Sequence, residues 1–66
     1  MKQNFIQLTT GIIISCDEKQ EFKYLSSSCA LIEQGFVGMS RDSMKAAEFI
    51  EININMIALE WEEVIN

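Results

Sequence analysis

Glu60-Trp61-Glu62-Glu63 is the group of residues best suited to chemistry in this chain, and the chemistry it suits is recognition rather than reaction. Indole rings are enriched where protein interfaces concentrate their binding energy, and flanking carboxylates can engage Lys or Arg around such a ring. A plainer role competes with it. Trp61 can continue the apolar alternation of Ile57 and Leu59 into a core, with Glu62 and Glu63 solvating the chain end.

Reaction chemistry has little to work with. His is absent, so the commonest general base at neutral pH is missing. Ser26, Ser27, Ser28 and Cys29 offer nucleophiles, but no motif places a base beside them, and a polar linker ending in a packed thiol explains them as well. The adjacent carboxylates Asp17/Glu18 and Glu62/Glu63 would point to opposite faces of a strand. Gly35-Phe36-Val37-Gly38 lacks the spacing of a phosphate loop and is read as a backbone bend. Cys16 and Cys29 are the only cysteines, so a zinc site would need an unusual thiolate and carboxylate set, and no acidic run has the calcium-loop pattern. The expectation is a protein that is not an enzyme and holds neither metal nor cofactor.

Charge placement sharpens this. The net charge is −5. Lys2, Lys19, Lys23, Arg41 and Lys45 balance Asp17, Glu18, Glu21, Glu33 and Asp42, so the whole excess falls on Glu48, Glu51, Glu60, Glu62 and Glu63. Such a face repels phosphate backbones and attracts a basic protein surface. Direct nucleic-acid binding is therefore not expected. The partner-binding residues are expected to be Glu51, Glu60, Trp61, Glu62 and Glu63. In composition the chain is similar to small acidic inhibitors, some of them phage-encoded counter-defence proteins, although no motif carries that likeness. Two alternatives stay open: a small-molecule or nucleotide binder with sites between subunits, lined by Arg41, Asp42 and Ser28, and a structural subunit of a larger assembly.

The elements that would position these residues follow from periodicity. Glu48 to Glu63 is legible both as strands (Ile50, Ile52, Ile54, then Ile57, Leu59, Trp61 after a slip at Asn55-Met56) and as an amphipathic helix through Ile50, Ile54, Ile57, Trp61 and Val64. β-Branched Ile and backbone-competing Asn are poor in helices, which favours strands. Ile6 and Leu8 alternate with Gln7 and Thr9 as in a half-buried strand. Gly11 can turn the chain, and Ile12 to Cys16 forms the return strand. Asp17 to Glu21 is a hairpin loop or a helix cap. Phe22 and Tyr24 favour a third strand, and Cys29 to Gln34 gives another apolar segment before a bend at Gly35. Ser40 to Ala47 is the best local helix candidate, capped by Ser40 or Asp42.

One domain is expected over residues 1–66: a β-rich α+β fold with a small antiparallel sheet of about five short strands and one short helix near 41–47. A domain of this size buries only about 60% of the surface its unfolded chain exposes, so homo-oligomerisation is expected to complete it. No apolar run approaches the roughly 20 residues that span a bilayer, and MKQNFIQ lacks the apolar centre of a signal peptide. A cytoplasmic location with both thiols reduced is expected, leaving a Cys16–Cys29 disulfide as the minor alternative.

Overall fold

The computed structural model describes residues 2–17, 23–24 and 26–64. Of the expected connector Asp17 to Glu21, Asp17 ends the second strand, while Glu18 to Glu21 and the expected strand residue Phe22 lie outside the described residues. Six strands form one antiparallel sheet: β1 (Lys2–Leu8), β2 (Ile13–Asp17), β3 (Lys23–Tyr24), β4 (Cys29–Gly38), β5 (Lys45–Asn53) and β6 (Ile57–Val64). β2 pairs with the last residues of β4 and β3 with its first ones, both on the side of β4 opposite β5. The sheet therefore has five strand positions, running from β6 through β1, β2 with β3, and β4 to β5.

The two edge strands, β5 and β6, are consecutive in the chain. Only the 3₁₀ turn Ile54–Met56 separates them, a span of roughly 10 Å. A flat sheet would hold its edges much farther apart, so this one must curl until its edges meet at one end. The turn is tied to both sides of the closure: the Ile54 N–H donates to the Ser28 carbonyl at 2.8 Å, and the Thr9 N–H donates to the Met56 carbonyl at 2.7 Å. Asn53 steadies the turn with its own side chain, accepting from the Asn55 N–H at 3.0 Å.

Inside the curl, Ile6, Ile14, Cys16, Ile32 and Ile52 are buried together, with Leu8, Ile12, Val37, Ile50 and Ile57 packed against them. Seven of these ten are isoleucines, whose stiff branched side chains suit a pleated surface. The expected hairpin is present: Gly11 takes φ +94 and its N–H donates to the Leu8 carbonyl. The slip expected near Asn55-Met56 is present as the 3₁₀ turn between β5 and β6.

Two expectations are corrected. The helix near 41–47 shrinks to a 3₁₀ turn over Arg41–Ser43, and Lys45–Ala47 belong to β5, paired with Val37, Phe36 and Gly35. The good helix formers Met44 to Ala47 cannot outweigh the ladder to β4, because an isolated helix that short is marginal. Gly35 is also not a break between two segments but lies within a ten-residue β4. A Cβ there would come within 2.7 Å of the Ser15 carbonyl oxygen, so glycine lets β4 lie this close to β2.

β4 and β5 share an irregularity. The register holds from Ile32↔Ile50 to Gln34↔Glu48, yet between these pairs Phe49 departs from the extended form. Phe49 has φ +56, a left-handed value uncommon for an aromatic residue, and its side chain is 67% exposed. Ile32 and Val37, five positions apart on β4, both reach the core, so the alternation reverses here while the register holds.

Candidate functional site

β1 is buried on both faces, and its second face carries the residues singled out above. Ile6 enters the core, and its neighbour Phe5 points the other way yet is only 4% exposed. Trp61, directly across on β6, stacks on it with ring centroids 5.3 Å apart and planes 9° from parallel. From the loop between β4 and β5, Arg41 lays its guanidinium 4.7 Å from the centre of the Phe5 ring. The Arg41 Nη1 donates to both Glu63 carboxylate oxygens, at 2.8 and 2.6 Å, and the Trp61 Nε1 donates to Glu63 Oε2 at 2.8 Å. A loop, a central strand and an edge strand are thus clasped by four side chains.

The electrostatics follow from these contacts. The Trp61 hydrogen bond, with the hydrogen bond and charge of Arg41 behind it, holds the Glu63 carboxyl below the ordinary glutamate range. On the core side, burial and then the nearby Asp17 charge push the Cys16 thiol up. Cys16 and Cys29 are both free thiols, the first buried and the second half-buried.

A bulge explains why Trp61 does not share the core with Ile57. Ile57 pairs with Leu8 and Leu59 with Gln7, which leaves Ala58 without a partner on β1. One extra residue reverses the alternation, so Leu59, Trp61 and Glu63 lie on the face of Phe5. Glu60 and Glu62, paired with Ile6 and Asn4, lie on the opposite face at the edge of the sheet, and both are exposed. Val64 shares their side.

The sequence-expected partner residues therefore divide. Trp61 and Glu63 are engaged within the molecule, Glu60 and Glu62 are presented by β6, and Glu51 is exposed on β5 at the other edge. Arg41, Asp42 and Ser28 do not converge. Arg41 lies over Phe5 just beyond the end of β4, whereas Ser28 precedes its start, where it meets Ile54. A ten-residue strand separates them by up to roughly 30 Å. Sequence reasoning missed Phe5 altogether; its only signal was an aromatic residue one position out of phase with Ile6 and Leu8.

One further concavity, of about 470 Å³, opens between the start of β1 and the middle of β4 and β5. Gln3, Asp17, Gln34 and Glu48 supply its polar wall, and Phe36, Ala46 and Ala47 its apolar one. Among the described residues no group of three or more Cys, Asp or Glu gathers to hold a metal ion, and no helix is long and apolar enough to cross a membrane.

Comparisons with protein-family models, characterised proteins and solved structures return no match.

Proposed function

We propose that the protein is a non-enzymatic binding module, an inhibitor or adaptor that docks on a basic surface of another protein through the acidic edge formed by β6. The exposure of Glu60 and Glu62 on an edge strand carries this reading. Two carboxylates two residues apart share a side of the strand, so they act on one partner surface. Glu63 contributes less than the sequence suggests, because Arg41 already offsets its charge. Trp61 acts as a support that holds β6 to β1, with Leu59 as the exposed apolar contact beside it.

Affinity capture from a cell lysate with quantitative mass spectrometry tests this. A Glu60→Lys/Glu62→Lys variant should lose the captured protein, a Glu48→Lys/Glu51→Lys variant should keep most of it, and added salt should weaken capture. Equal capture by all three proteins, undiminished in high salt, would overturn the reading.

The 470 Å³ concavity favours a second reading, the binding of a small molecule. Its volume is in the range of ligand pockets, and its Asp17 and Glu48 side chains suit an organic cation better than a nucleotide. A thermal-shift screen comparing polyamines with nucleotides separates the two classes.

A further inference from the structure

We propose that β6 takes a basic strand of another protein, added to the sheet edge through backbone hydrogen bonds, with Lys or Arg at alternate positions facing Glu60 and Glu62 and apolar residues between them facing the side of Leu59 and Trp61. The proposal rests on the docking reading above and names the form of the partner.

Three observations lead there. From Leu59 to Val64 the register of β6 against β1 is unbroken, running from Gln7↔Leu59 to Lys2↔Val64. Among the described residues β6 pairs with β1 alone, so every second residue along it turns its N–H and C=O away from the sheet, as at any edge. An added antiparallel strand would set its side chains about 4.5–5.5 Å from those of β6. The other edge is a poor template, because Phe49 interrupts β5 with a left-handed residue at mid-strand.

The pattern on β6 then selects the occupant. A second copy of this chain, paired edge to edge, would bring Glu60 and Glu62 against their own counterparts, and like charges directly opposite destabilise a strand pair. Carboxylates at an edge commonly serve to prevent such self-pairing. The same two residues reward a strand carrying Lys or Arg at every second position. On the other face, Leu59 is 57% exposed and the Trp61 ring is half-buried, a surface for the alternate apolar residues. Strand addition draws affinity from the main chain and specificity from alternate side chains, and this edge offers both.

The test uses the full chain and two probes: an eight-residue peptide of alternating Lys and Val with blocked ends, and the same peptide methylated at every backbone nitrogen. The second keeps the charge and loses the donors. Titrations at low salt should show the methylated peptide binding at least tenfold more weakly, and Glu60→Gln/Glu62→Gln should weaken the parent peptide by a similar factor. Equal binding of both peptides, with loss in the Gln variant, would overturn strand addition while the acidic docking reading stands. Equal binding of the parent peptide to wild type and variant would overturn both. Absence of binding by the parent peptide would overturn strand addition, and capture from lysate would then decide the docking reading by itself.

Discussion

β5 and β6 are both edge strands of one sheet, but they are attached and protected in different ways. β5 is secured from inside, with Ile50 and Ile52 reaching the core and a long ladder to β4. Its outer side is spoiled as a template by Phe49, whose backbone departs from the extended form. β6 enters the core only at Ile57 and is otherwise held by the Phe5–Trp61 stack on the other face, under Arg41. Its free edge is regular, and charge rather than shape guards it. A bent edge refuses all strands, whereas a charged edge refuses only strands of its own sign. That contrast is the reason for assigning docking to β6.

The comparison can be broken first at its strongest point. Ile52→Ala, which empties a site 1% exposed, should cost about 2–5 kcal/mol in chemical denaturation and loosen β5 from β4. A smaller loss would mean that β5 is held by its ladder and not by the core. Trp61→Ala should cost somewhat less, about 2–3 kcal/mol, because the ring is only half-buried. Amide exchange should quicken in β6 and the Arg41 loop while β4 and β5 stay protected. Exchange quickening equally at both edges would erase the distinction between their anchors.

Phe49→Gly sharpens the other side of the contrast. The ring is mostly in solvent, and a left-handed backbone costs a non-glycine residue roughly 1–2 kcal/mol. Glycine should thus hold stability level or raise it by about 0.5–1 kcal/mol, after its own entropy cost. A clear loss would show that the ring is packed against something in solution.

The smallest expected effect is the pH dependence of the clasp. Glu63 has a lowered carboxyl pKa in the folded protein, so its contribution is complete above the unfolded glutamate value, near 4.3. It is lost as the pH falls through the lowered folded value. The fluorescence of Trp61, the only tryptophan, should report this step below the ordinary glutamate range. Glu63→Gln should remove it.

Much of the sheet was legible because period-two alternation is a local signal. Ile6 with Leu8, Ile50 with Ile52, and the turn at Gly11 all declare themselves within a few residues. What stayed hidden was decided by pairing across the sheet. Lys45–Ala47 have helical propensity, yet β4 recruits them as strand. The extra residue at Ala58 turns Trp61 away from the core, and no composition marks it. The left-handed backbone of Phe49 within β5 has no local mark either. At the candidate site, the exposure of Glu60 and Glu62 was anticipated, but the capture of Glu63 by Arg41 and the role of Phe5 depend on residues distant in the chain. A homo-oligomer built by pairing two β6 edges would set carboxylates against each other, a penalty that only the pairing reveals.

Hydrogen–deuterium exchange on the full chain, with and without the Lys-Val peptide, tests the central claim most directly. The outward-facing amides between Leu59 and Val64 should slow at least tenfold in the presence of the peptide while those of β5 stay unchanged. Protection appearing along β5 instead, or binding without added protection in β6, would contradict it.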